Sequence, residues 1–231
     1  MTRRAFLGRL RELGSIGGPL LLGIPWLTKT TIGRRSRDPG GGPKAPVTPP
    51  GSITLRHFRS NCTGCHRCVA NCPTGVLQPS LLDYGVTGLL KPVLDFSKGY
   101  CEYPCTICGG ACPTGAISKL SEEQKSITKI GRVYLVKEDC IVFTRGTPCG
   151  ACAEICPTQA IRMVAYRPGL TQPLTDEASC VGCGGCELVC PARPKKAVYV
   201  AGIDPHRAAS IPNRPPSPTK DASPPPEEFP F

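Results

Sequence analysis

All sixteen cysteines of this 231-residue chain fall into four quartets. They are Cys62, Cys65, Cys68 and Cys72; Cys101, Cys105, Cys108 and Cys112; Cys140, Cys149, Cys152 and Cys156; and Cys180, Cys183, Cys186 and Cys190. Thiolates are soft ligands, and the first and last quartets show the C-x2-C-x2-C-x3-C-P spacing that holds a cubane iron–sulfur cluster. Proline follows the final cysteine every time, at Pro73, Pro113, Pro157 and Pro191. Sixteen thiolates match the ligand requirement of four [4Fe–4S] clusters, with the iron bound through these cysteines. The chemistry this implies is one-electron transfer.

A cubane needs four sulfurs converging from a chain that wraps closely round it. Gly182, Gly184 and Gly185 ease that wrap in the fourth motif, and Gly64 does so in the first, because glycine tolerates positive φ and close backbone approach. The second and third quartets depart from the pattern only at their first ligand, Cys101 and Cys140, where a longer loop still delivers a thiolate. The fourth cysteine of each motif is expected at the start of a helical turn. In two-cluster ferredoxins that cysteine ligates the neighbouring cluster, so motifs work in pairs. Sequential pairing (one with two, three with four) and nested pairing (one with four, two with three) are both open. We favour nesting, because the regular quartets are the outer ones.

Other uses of sixteen cysteines fit less well. Eight disulfides would suit an exported protein, but a disulfide framework has no reason to repeat C-x2-C-x3-C-P. Structural zinc joins two separated knuckles, often with histidine. Here the triplets run on, and only His57, His66 and His206 exist, each solitary. His66 and Arg67 lie inside the first ligand loop, where positive charge could raise a cluster potential or meet an acidic partner; a solvated loop is the plainer reading. No nucleophile–base set, paired-carboxylate site or dinucleotide fingerprint is visible, so no catalytic residue is assigned.

The elements that must position these ligands form a fourfold repeat. Short apolar segments trail each motif: Val76-Leu77, Ala116-Ile117, Ala160-Ile161 and Ala197-Val198. A β-rich stretch, residues 132–137, leads into Cys140, and residues 121–127 read as an added helix. The expected fold is α+β, with two bacterial-ferredoxin-like (βαβ)2 modules in one cluster-rich domain over residues 52–203. Aromatic residues are only 6% of the chain, too few for a large dry core, so folding should be coupled to metal insertion.

The formal charge of +11 does not point to nucleic acid. Residues 1–44 carry nine Lys and Arg against two acids, and each oxidised cubane with four thiolates contributes about −2. The basic start is better read as targeting: Thr2-Arg3-Arg4-Ala5-Phe6-Leu7 fits a twin-arginine signal or anchor over residues 1–27. That route exports folded proteins whose cofactors are already inserted. Residues 28–51, rich in Gly, Pro and Arg, read as a flexible linker. Residues 204–231 read as a Pro-rich disordered tail.

The order of irregular spacings, the twin-arginine start, Pro49-Pro50-Gly51-Ser52-Ile53, Cys140-Ile-Val-Phe and the run from Cys180 to Cys190 together resemble the NapG/MauM family of periplasmic ferredoxin-type proteins. The resemblance implies four [4Fe–4S] clusters and an electron-transfer subunit at the periplasmic face of the membrane. It implies a quinol-oxidising, membrane-bound iron–sulfur partner, a periplasmic reductase as acceptor, and the Tat translocase during export. An accessory or maturation factor for a periplasmic redox enzyme is the alternative.

Overall fold

The structure, a computed structural model, describes residues 45–210. The chain divides into two units, Met1–Pro43 and Lys44–Phe231, and every described residue lies in the second. The expected signal segment 1–27, most of the linker and residues 211–231 of the tail lie outside the described residues. No helix among the described residues is long and apolar enough to cross a membrane.

Regular elements are short and serve the loops between them. Helix α1 (Leu55–Asn61) leads into the first motif, and α2 (Arg67–Ala70) lies within it. Strands β1 (Leu77–Pro79) and β2 (Pro92–Leu94) follow, then α3 (Ile107–Ala111), α4 (Glu122–Ile127) and β3 (Thr128–Leu135). The second half holds α5 (Ile141–Arg145), α6 (Ala151–Glu154), β4 (Ile161–Arg167), β5 (Leu170–Thr175), α7 (Gly185–Val189) and β6 (Val198–Ala208). The strands pair antiparallel in three two-stranded sheets, β1–β2, β4–β5 and β3–β6.

A compact α+β arrangement is therefore present, but the strand-first layout of a (βαβ)2 module is not seen at the first motif. Thr54 caps a helix there by accepting from the His57 N–H, and Phe58 is driven wholly into the core. Helix α4 agrees with the expected added helix. Ser121 and Gln124 form a reciprocal capping box that satisfies two of its free N–H groups.

Both ends of the domain lie further out than the composition suggested. Val47 and Pro49 are fully buried. The Ala45 carbonyl accepts from Gly202 N–H at 2.9 Å, and the Val47 carbonyl from Leu94 N–H at 3.0 Å. Residues 45–51 thus tie β2 to β6 instead of forming a spacer. At the other end β6 runs to Ala208, pairing Thr128 with Ala208 and Lys129 with Arg207 across a bulge near Gly131. Backbone pairing with β3 is what holds residues 204–208 in the fold.

The core is built partly from the ligands. Phe58, Val76, Ile117, Ile130, Val198 and Val200 pack with Cys68, Cys152, Cys180 and Cys186. A second cluster gathers Cys140, Val142, Cys190, Ala192 and Ala197. Burying so many thiols in place of large side chains makes sense if what they surround fills the middle.

Candidate iron–sulfur centres

Each motif presents its ligands in the same way. The first two cysteines lie on loop, the third lies in a one-turn helix, and the fourth follows that helix. Cys68, Cys108, Cys152 and Cys186 occupy α2, α3, α6 and α7. The fourth cysteine therefore ends the turn instead of starting one. Cys72 N–H bonds back to Val69 O, Cys112 N–H to Gly109 O and Cys156 N–H to Ala153 O, and the next residue, proline, has no N–H to continue.

The fourth cysteines also cross over. Cys72 lines a cavity with Cys101, Cys105 and Cys108. In return Cys112 lies beside Cys68 of the first motif, as do Cys62 and Cys65. Cys156 joins Cys180, Cys183 and Cys186 round a second cavity, and Cys190 joins Cys140, Cys149 and Cys152 round a third. Motif one exchanges with two, and three with four. This overturns the nested pairing: regularity of spacing says nothing about neighbourhood, whereas the short β1–β2 and β4–β5 hairpins lie within each consecutive pair.

The donor sets suit cubanes better than single ions. No three His, Cys, Asp or Glu among the described residues converge on one ion. A zinc ion with Zn–S bonds of about 2.3 Å would demand such convergence. The sixteen thiols are all free in the structure.

Burial pushes the Cys108 thiol up to about 12, with the Cys101, Cys105 and Cys68 thiolates adding repulsion. Burial likewise raises Cys68, Cys101, Cys152 and Cys183 to about 11. Four thiolates brought together in a dry pocket are unfavourable until a cation compensates them, so metal must displace the protons. At Cys72 burial also acts upward, but the N–H groups of Leu77, Thr74 and Val76 and the Thr74 hydroxyl outweigh it and lower the thiol. Cys112 is lowered in the same way by Ile117, Thr114 and Ala116.

Those hydroxyls are functional candidates that motif reading passed over. Thr74, Thr114 and Thr158 each lie 3.7 Å from the sulfur of Cys72, Cys112 and Cys156. The signal was present in the repeated Cys-Pro-Thr. Lys125 was also missed. It is 5% exposed, donates to the carbonyls of Glu102 and Tyr103 at 3.0 and 2.9 Å, and faces the Cys101 and Cys183 thiols. His66 turns its Nε2 to the Leu90 carbonyl at 2.7 Å, so its ring braces the first ligand loop.

The four sets lie in a row. Cys68 of the first neighbours Cys108 of the second. Cys101 N–H donates to the Cys183 carbonyl at 2.8 Å, joining the second set to that of the fourth motif. Cys186 in turn neighbours Cys152.

A site of this kind defines a 4Fe–4S-binding electron-transfer protein. Family profiles agree: one described as a 4Fe-4S dicluster domain matches residues 147–193, and one described as a 4Fe-4S binding domain matches residues 56–78. The methylamine utilization ferredoxin-type protein MauM of Methylophilus methylotrophus is 32% identical over 62% of this chain and 66% of its own length. The ferredoxin-type protein NapF of Haemophilus influenzae is 30% identical over 63% of this chain and 74% of its own. That of Escherichia coli K12 is 26% identical over 67% and 85%. The chain belongs to the ferredoxin-type 4Fe–4S proteins, and it spans just under two thirds of the MauM length.

Proposed function

We propose that the chain is a four-cluster electron relay with no substrate of its own. The [4Fe–4S] groups would be held by Cys62, Cys65, Cys68 and Cys112; by Cys72, Cys101, Cys105 and Cys108; by Cys156, Cys180, Cys183 and Cys186; and by Cys140, Cys149, Cys152 and Cys190. The observation that carries this reading is the crossing of every fourth cysteine into its neighbour's set, which brings the sets into an unbroken row.

When bound, such clusters accept and release single electrons, and this chain's residues set how readily. Backbone N–H groups and the Thr114 hydroxyl point at sulfur and stabilise added negative charge, while the Thr74 hydroxyl gives its proton to the Tyr100 carbonyl at 2.7 Å. Lys125 does the same between the two central sets. Apolar neighbours such as Phe58, Val76 and Val200 keep water away. With all four ligands supplied by cysteine, no iron is left open to a substrate.

The twin-arginine start and the Nap and Mau relatives support a setting at the periplasmic face of the membrane after Tat export. There the relay would pass electrons from a quinol-oxidising membrane partner to a periplasmic reductase. Iron and acid-labile sulfide on anaerobically purified protein test the reading. About sixteen of each per chain is expected from four such clusters, with interaction-broadened EPR signals after reduction. About eight of each would leave two clusters and break the row. Cys68→Ser and Cys186→Ser should stop electron passage; a maturation factor would keep binding its client.

A further inference from the structure

Nine large hydrophobic side chains are exposed among the described residues, and five of them belong to one ten-residue loop: Leu81, Leu82, Val86, Leu89 and Leu90. Val86 is 82% and Leu81 68% exposed. The loop joins β1 to β2 and is firmly built. Tyr84 is buried beneath it, donating its hydroxyl to the Pro92 carbonyl at 2.9 Å with its ring 5.8 Å from Phe58. Leu90 N–H and Ser80 N–H close its base on Ser80 O and Lys91 O at 2.7 and 2.9 Å.

Three contacts fasten this loop to the first ligand loop. His66 meets the Leu90 carbonyl, Lys91 Nζ donates to the Cys62 carbonyl, and the Arg59 guanidinium donates to the Thr87 hydroxyl. Cys65, in the ligand loop so held, is the one exposed cysteine of the sixteen. The apolar face thus stands beside the most accessible ligand in the row. The surrounding charge is mainly positive, although Asp204 accepts from Leu55 N–H at 2.9 Å. No Asp or Glu occurs from residue 45 to residue 82, while Arg56, Arg59 and Arg67 are exposed. The loop's own acid, Asp83, accepts from the Ser80 hydroxyl at 2.9 Å.

We propose that the loop 81–90 is the docking face for the redox protein that exchanges electrons with the site of Cys62, Cys65, Cys68 and Cys112. The partner presents an apolar patch rimmed by Asp and Glu. The inference rests on the relay reading and deepens it by placing one end of the row at a surface. Aliphatic contacts supply desolvated area at the centre of the interface, and Arg56, Arg59 and Arg67 steer an acidic rim. One electron crosses the face. The centre that gives it is oxidised and the one that takes it reduced, with no bond made or broken.

The test uses the full-length holo-protein in its own cells with Val86→p-benzoylphenylalanine, photo-cross-linked and the adduct identified by mass. Capture of an acidic chain that carries a flavin, haem or iron–sulfur group is expected. Electron exchange with that purified protein should then slow at least tenfold in Leu81→Ser/Val86→Ser. It should also slow in Arg56→Glu at low salt, an effect that fades at high salt. Reduction by methyl viologen should stay unchanged in both. Capture of phospholipid, of a second copy of this chain, or of nothing would overturn the proposal. So would exchange unaltered by Leu81→Ser/Val86→Ser. If methyl viologen fails to reduce the unsubstituted iron-loaded protein, the relay reading falls and this proposal with it; normal viologen reduction with unaltered partner exchange removes the docking face alone.

Discussion

Lys125 offers the sharpest test of how this fold sets electron energies. Its ammonium is buried between Cys101 of the second set and Cys183 of the fourth motif, and its Nζ holds the carbonyls of Glu102 and Tyr103 at 3.0 and 2.9 Å. A unit charge about 4 Å from another interacts by about 4 kcal/mol at an effective dielectric of roughly 20. An electron added to a cubane is spread over the whole cluster, and halving the interaction for that leaves about 2 kcal/mol. At about 59 mV per tenfold change for one electron, this corresponds to roughly 80 mV. Lys125→Gln removes the charge while keeping N–H donors for the two carbonyls; Lys125→Met removes both. Anaerobic potentiometric titration followed by EPR should show the two central clusters moving negative by roughly 50–100 mV in Lys125→Gln. The two terminal clusters should move less, since the Coulomb interaction falls with distance. Central potentials that stay put in a fully iron-loaded Lys125→Gln protein would refute the electrostatic reasoning. A shift in Lys125→Met but not in Lys125→Gln would assign the effect to the orphaned carbonyls.

Three further outcomes rest on the geometry. Cys112→Ser should damage the first motif's cluster and leave that of Cys101, Cys105 and Cys108 intact, as read by EPR on variants in which the remaining clusters serve as internal standards. Gly182 has φ +80°, and a Cβ there would stand 2.4 Å from the Gly131 nitrogen; Gly182→Ala should cost roughly 3 kcal/mol or more by left-handed strain and overpacking. Gly75→Ala, with φ +64° and open space, should cost only about 1–2 kcal/mol; denaturant midpoints under anaerobic conditions compare the two. Burial holds His206 well below its ordinary 6.5, at about 4, against the opposing pull of Asp204. The neutral ring is thus the folded form. Stability should be full above about pH 6.5, fall as pH drops toward about 4, and level off below that. Between pH 7 and 5 the loss should be about 2 kcal/mol, and it should vanish in His206→Gln when the two proteins are compared at both pH values.

The cysteine motifs were legible because the spacing that suits a cubane survives in one dimension. The segments after the motifs were legible for the same reason: Leu77, Ile161 and Val198 each fall in a strand immediately behind a ligand helix. Ser121 announced α4 through a local capping rule. What depended on distant partners was hidden. Residues 45–51 look like a spacer by composition, yet Val47 is buried because its backbone closes on Leu94 and that of Ala45 on Gly202. Asp204-Pro205 reads as a break, but pairing with β3 carries β6 past it. The pairing of motifs could not be read from spacing at all, since both orders use the same sixteen residues. Lys125 looked like any helix-surface lysine until the neighbouring ligand loops closed over it.

The exchanged cysteines also have a meaning in time. Cys62 and Cys112 are 50 positions apart, and so are Cys140 and Cys190. On the relay reading each pair would close two rings that pass through one another. A chain emerging from the ribosome has all eight thiols of its first pair available once Cys112 has cleared the exit, while the second pair is still unmade. Loading can proceed in two instalments, each over a short span whose closure entropy is small. An iron shortage or a stall between residues 112 and 140 would then leave a chain half charged, with its first two centres in place and the conductor cut at its midpoint.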